Sequence, residues 1–177
     1  MNPRFFENLE SLYRGPDTPA SRDLKLNLQR LLNDGALGPE DGLLAFLAAS
    51  RAVESKPLEE IARSELAGLG LSDEAIQEAA QSAAIMAMLN TYYRFKHMIG
   101  NTTDYTSTGL RMNALAKPVL GKERYELLAF TVSVLNGCET CIRAHEKVLR
   151  DGGMETAKIH DAARLAAVVK AYKTLVS

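Results

Sequence analysis

This sequence predicts an all-α fold, a helical bundle with an internal duplication of a helical unit, and three observations carry that prediction. Apolar residues recur at helical spacing along most of the 177 residues, Pro, Ser and Gly fall where helices start and stop, and no stretch alternates with period two over a convincing length. Leu24, Leu28, Leu31 and Leu32 form the first apolar face, with Ser21 expected as its N-cap and Asn33-Asp34-Gly35 as its stop. Pro39 opens a second helix over Glu40 to Val53, and Pro57 opens a third over Leu58 to Leu66, ahead of Gly68 and Gly70. Ser72, followed by Asp73 and Glu74, caps a long Ala-rich helix running toward Phe95.

Between about His97 and Lys122 the pattern breaks at Gly100, Gly109, Pro118 and Gly121, which predicts a long connection with a short helix through Leu110 to Ala116. Three further helices are expected: Glu123 to Leu135, Cys138 to Arg150 ended by Asp151-Gly152-Gly153, and Glu155 to Leu175. Helices without intervening strands argue for a bundle and against a parallel α/β sheet. Residues 1–177 are read as one domain, a size that buries a real core.

The chain also echoes itself. Leu43-Leu44-Ala45-Phe46 matches Leu127-Leu128-Ala129-Phe130 at an offset of 84, and Ala75 to Ala80 is echoed by Lys158 to Ala163 at an offset of 83, so one gap reconciles the two. A helical unit used twice, over about 40–95 and 123–175, is the physical reading. In that alignment Glu54, Pro57 and Ile61 stand where the second copy has Cys138, Cys141 and His145, which confines the chemistry to the second half.

Composition narrows the functional classes. With 46% hydrophobic and 24% charged residues the chain is an ordinary globular one; 21 Lys plus Arg nearly cancel 22 Asp plus Glu, with no basic block for nucleic acid or an anionic membrane. No apolar stretch is long enough for a membrane span, and Arg4, Glu7 and Glu10 occupy the place of a signal core, so a cytoplasmic location is expected. Two cysteines separated by two residues close too short a loop to serve as a stabilising framework. In a reducing compartment such a pair is catalytic or metal-binding, and a zinc half-site lacks a second cysteine pair to complete it.

Asn136-Gly137 favours a turn, which places Cys138 at or just before the first turn of a helix, where loose N–H groups and the helix dipole stabilise a thiolate. A thiol of pKa near 8.5 is only about 3% ionised at pH 7, so each unit of lowering counts almost tenfold. Cys138, Cys141 and His145 stand at i, i+3 and i+7, on one stripe, with His145 one turn beyond Cys141 and able to take its proton. An antiparallel return of the preceding helix brings the carboxylate of Glu126 toward that turn, where it orients the imidazole. Cys138 is expected to be the more exposed, partner-facing sulfur, and His97 and His160 are read as structural. A thioredoxin is excluded because no strand precedes Gly137.

Glu126, the Cys138-x-x-Cys141 pair and His145, together with Leu110-Arg111-Met112-Asn113, Leu128 to Phe130, Asn136-Gly137-Cys138 and Ala144-His145-Glu146, resemble the AhpD alkylhydroperoxidases within the carboxymuconolactone decarboxylase-like superfamily. The resemblance implies an all-helical, internally duplicated, homotrimeric protein that cycles one dithiol. It implies weak reduction of alkyl hydroperoxides and regeneration of the peroxiredoxin AhpC, with electrons from dihydrolipoamide on a lipoylated 2-oxoacid dehydrogenase component. No tightly bound cofactor and no metal are implied. Cys138 and Cys141 become the redox pair, and Glu126 with His145 the proton relay. One departure stands out: Thr140 occupies the place of a relay histidine, and a hydroxyl is no base near neutral pH. The alternatives are a lactone-decarboxylase enzyme of the same superfamily, which would need neither thiol, and a non-catalytic redox-sensing module.

Overall fold

The computed structural model describes residues 3–100 and 103–176, and among them every regular element is helical. In chain order they are α1 (Pro3–Leu12), α2 (Pro19–Asn33), α3 (Pro39–Ala52), α4 (Lys56–Gly68), α5 (Asp73–Ile99), a 3-10 turn (Asn113–Leu115), α6 (Lys122–Asn136), α7 (Glu139–Asp151) and α8 (Thr156–Leu175).

Helices α3 and α6 form the centre. Gly42 through Ser50 are buried without a break in α3, as are Leu127 through Ser133 in α6, the pattern of helices apolar on every side. Each packs on the other and on α5 and α8; α3 also packs on α4, and α6 on α7. Helix α7 lies outside this centre, burying only Cys141 and Leu149 within its span and leaving the rest to solvent or to partial cover. The helix that carries Cys141 and His145 is therefore a surface helix lying on one of the two central ones.

Helix α1 lies outside the sequence reading, which assigns no helix before Ser21. Its ten residues would be marginal alone. Phe5 and Leu9, one turn apart, are buried, Phe5 meets Phe46 edge to face at 5.8 Å, and the Tyr172 hydroxyl of α8 donates to the Leu9 carbonyl at 3.0 Å. Packing, not propensity, makes this helix.

The cap of α2 differs too. Thr18 is the N-cap, Pro19 opens the helix, and the buried Ser21 is the third helical residue, reciprocating in a capping box. The sequence reading takes Ser21 because it is the nearer hydroxyl to the apolar run, whereas the box needs both. Ser72 does cap α5, accepting from the Ala75 N–H at 3.2 Å, and α5 continues past Phe95 to Ile99, where Gly100 at φ 63° ends it.

The short helix expected through Leu110 to Ala116 shrinks to the single 3-10 turn. Its long connection is held instead by Glu78, whose carboxylate accepts from the Val119 and Leu120 N–H groups at 2.8 and 2.7 Å. Beside it, burial and then the charges of Glu78 and Glu126 push the Tyr125 phenol up to about 12. No helix of the described residues is long and apolar enough to cross a membrane.

Candidate active site

The turn between α6 and α7 builds the site. Gly137 takes the left-handed conformation (φ 62°, ψ 37°), open to glycine at no steric cost, and its N–H donates to Val134 while the Cys138 N–H reaches back to the Ser133 carbonyl at 3.2 Å. This paired 5→2 and 6→1 closure satisfies the last carbonyls of α6 and delivers Cys138 as the N-cap residue of α7, where its own carbonyl accepts the Ile142 N–H at 2.9 Å. One residue pattern thus ends one helix and starts the next with a sulfur at its positive end.

Cys138 and Cys141 are joined as a disulfide, with Cα atoms 5.3 Å apart. Cys138 is fully buried (0% exposed) and Cys141 is 6% exposed. This reverses the expected order of exposure: the N-cap position tucks Cys138 between the start of α7 and the end of α5, and Cys141 is the less buried residue of the pair.

One turn further along α7, His145 Nδ1 lies 2.7 Å from Glu126 Oε2, with the two side chains 21% and 22% exposed. An ionised carboxylate only accepts, so Nδ1 carries the hydrogen and Nε2 is left as the nitrogen able to take a proton. Nε2 has no hydrogen-bond partner among the described residues. Helix α6 thus brings Glu126 to the turn at Cys141 and His145, as an antiparallel return requires.

Two clefts open onto this arrangement from different sides. A small one of about 130 Å³ is lined by Cys138, Thr140 and Glu139 of α7 and by Arg94, His97 and Met98 of α5. A larger one of about 410 Å³ reaches Glu126 from the other side, between Lys122 and Val148, and shares no lining residue with the first. His97 therefore stands beside the dithiol, where the sequence reading sees only a structural residue, and its Nε2 is 3.9 Å from Glu139 Oε2. His160 is exposed on α8 and lines neither cleft. Thr140 faces the same cleft as Cys138.

Behind the turn lies a polar chain that sequence reasoning misses. Asn90 of α5, 1% exposed, donates through Nδ2 to Ser133 Oγ at 3.0 Å and accepts at Oδ1 from Asn136 Nδ2 at 2.9 Å. One turn later Arg94 Nη1 donates to the Asn136 carbonyl at 2.9 Å. The backbone carbonyl of Ser133 is the one that holds the Cys138 N–H. A buried, satisfied network of this kind rigidifies what it touches, here the residues on both sides of Gly137. The only signal for it in the sequence is an Asn in the middle of an Ala-rich helix, where apolar residues would otherwise be expected.

Among the described residues no group of three or more His, Cys, Asp or Glu is gathered as a metal ion needs. What is assembled, in an all-helical chain, is a Cys-x-x-Cys disulfide at a helix start, a histidine one turn on and a carboxylate on the histidine.

The carboxymuconolactone decarboxylase family profile matches residues 105–176. The alkyl hydroperoxide reductase AhpD of Anaeromyxobacter dehalogenans is 40% identical over 164 residues, 92% of this chain and 87% of its own length. That of Rhizorhabdus wittichii is 40% identical over 156 residues, covering 88% of this chain and 90% of its own, and that of Gluconacetobacter diazotrophicus is 38% identical over 151 residues, 85% and 83%. The chain belongs to the AhpD family.

Proposed function

We propose that this protein is a thiol-dependent, peroxide-reducing oxidoreductase that cycles Cys138 and Cys141 between dithiol and disulfide. The observation that carries this is the placement of the disulfide one turn from a histidine already paired with a carboxylate. In the reduced protein His145 Nε2 takes the Cys141 proton, and Glu126 orients the ring and balances its charge. The Cys141 thiolate attacks the peroxide O–O bond, giving a sulfenic acid and an alkoxide that leaves as the alcohol with the relay's proton. Cys138 then displaces water from the sulfenic acid and closes the disulfide. Where the oxidant is a peroxiredoxin disulfide, the same thiolate forms a mixed disulfide with the partner and Cys138 resolves it.

Dihydrolipoamide on a lipoylated 2-oxoacid dehydrogenase component is the proposed donor, supplying two electrons by the reverse exchange, and the peroxiredoxin AhpC the proposed partner. The relatives named as alkyl hydroperoxide reductases support the peroxide-reducing role to which this donor would supply electrons. A cytoplasmic setting, where reductants keep such pairs cycling, accompanies the proposal. Reconstitution with dihydrolipoamide and a peroxiredoxin, following peroxide loss, tests it. Continuous peroxide consumption that depends on all three components is expected; a disulfide that dihydrolipoamide leaves intact would overturn the reading.

A homotrimer is proposed alongside, supported by the apolar surface at the end of α5, where Phe95, Ile99 and above all Met98 (79%) are exposed and Phe95 meets the exposed Tyr105 ring at 5.3 Å. Light scattering at micromolar concentration should give three times the chain mass.

We also infer that α3 to α5 and α6 to α8 are copies of one unit in a single register of 83 residues. Gly38 and Gly121 precede α3 and α6 with positive φ; Glu54 and Gly137 end those helices with φ of 57° and 62°; Gly70 and Gly153 end the next with 86° and 87°. The closures Ser55 to Ser50 and Leu71 to Leu66 recur as Cys138 to Ser133 and Met154 to Leu149. On this register no gap is needed, and Ser55, Leu58 and Ala62 rather than Glu54, Pro57 and Ile61 correspond to Cys138, Cys141 and His145.

A further inference from the structure

We propose that Arg94 is a positioning residue of the dithiol: from α5 it stabilises Cys138 as a thiolate whenever the disulfide opens, and so sets the balance between the reduced and oxidised pair. The inference rests on the proposed dithiol cycle and assigns one of its two sulfurs a cation of its own. His145 and Glu126 serve Cys141 from one side. Cys138 has no such neighbour on α7, yet it is the sulfur expelled when a donor thiolate attacks the less buried Cys141. In that step the donor sulfur bonds to Cys141, the Cys138–Cys141 bond breaks, and its electron pair leaves on Cys138. A leaving thiolate in a fully buried position needs compensating charge, since burial otherwise disfavours the anion.

Arg94 is placed to give it. Arg94 lines the small cleft that Cys138 lines, is partly buried, and is anchored by Nη1 on the carbonyl of Asn136, two residues before the cysteine. Asn90, one turn earlier on the same helix, fixes the Asn136 side chain, so both ends of the anchor are held. Among the described residues no carboxylate pairs with Arg94, so its charge is not already neutralised. The other charged groups toward this cleft are His97 on α5 and Glu139 on α7, and Glu139 is engaged by Arg143 at 2.9 Å. On the far side stand His145 and Glu126, paired with each other. No side chain caps α7, which leaves the first-turn N–H groups to act with the guanidinium on the same sulfur.

The test needs neither peroxide nor partner, so its failure is separable from failure of the proposed function. In a Cys141→Ser background, thiolate absorbance near 240 nm followed against pH reads Cys138 alone. Arg94→Gln is expected to lower the thiolate fraction at pH 7 by about three- to tenfold, the scale of a lost neighbouring charge. Arg94→Lys, which keeps the charge, should recover most of it. In the two-cysteine protein equilibrated with a glutathione redox buffer, Arg94→Gln should shift the equilibrium toward the disulfide, and more so as the pH rises through the Cys138 titration, because the thiolate that loses support exists only in the reduced form. A Cys138 titration unchanged within twofold in Arg94→Gln would overturn the proposal. So would equal losses in Arg94→Gln and Arg94→Lys, which would leave only the hydrogen bond to Asn136, or a larger shift from His97→Gln than from Arg94→Gln.

Discussion

His145 Nδ1 and Glu126 Oε2 meet at 2.7 Å across two helices, and with Glu126 ionised the contact puts the ring hydrogen on Nδ1 and leaves Nε2 as the nitrogen for the proposed base role. General-base help is worth about 10² to 10⁴ in rate, so His145→Ala should lose turnover on that scale at pH 7. Glu126→Gln should lose less, because an amide oxygen still accepts the Nδ1 hydrogen while the charge is gone. Activity of both variants should recover partly as the pH approaches the free thiol value of about 8.5, where thiolate forms unaided. Turnover measured from pH 6.5 to 9 checks this; full activity of His145→Ala at pH 7 would remove the relay.

The burial order of the two sulfurs makes the cysteine variants unequal. Cys138→Ser and Cys141→Ser should each abolish turnover, but only Cys138→Ser should accumulate a partner bound covalently, since it keeps the less buried cysteine and lacks the resolving one. Non-reducing gels after mixing with an oxidised peroxiredoxin report this. A trap formed by Cys141→Ser instead would invert the assignment.

Asn90→Ala should destabilise the fold well beyond a surface change. It strips the partner from the buried Ser133 hydroxyl and from the Asn136 amide, at roughly 1–3 kcal/mol for each unsatisfied group, or roughly 4–24 °C in Tm for both in a domain of this size. Urea and thermal melts of the oxidised protein measure it, and a loss under about 0.5 kcal/mol would show that the network is not structural.

Alkaline stability should be governed by two phenols. Burial first, with Glu10 adding its charge, pushes Tyr172 up to about 12, and Tyr125 is raised to about 12 as well. Folding favours the protonated phenol, so this contribution is complete below the unfolded value of about 10 and is lost as the pH rises from 10 toward 12, where the unfolded chain ionises first. Of the six tyrosines, two should therefore titrate late by absorbance near 295 nm, together with unfolding. Tyr125→Phe should flatten the decline. Tyr172→Phe should flatten it too, while losing about 1 kcal/mol overall for the hydrogen bond to Leu9.

Local rules carried the sequence reading far. Pro39, Pro57, Ser72, Gly137 and the glycines at 152 and 153 mark helix ends because capping and backbone freedom act within a few residues, and the structure follows them. The alignment of Cys138, Cys141 and His145 on one stripe needed only the pitch of a helix, and the approach of Glu126 only an antiparallel neighbour. What local rules could not reach was decided by packing. Helix α1 exists because Phe5 and Leu9 find Phe46 and Tyr172, far away in the chain. The full burial of Cys138 depends on where α5 lies, and Asn90 and Arg94 meet Ser133 and Asn136 across separations of 42 to 46 residues. Residue types and short-range spacing thus determined the helices and the reactive stripe. Only the tertiary structure decided which cysteine is the more buried and which charged residues share its cleft, because both depend on the desolvated contact of helices that no local pattern brings together.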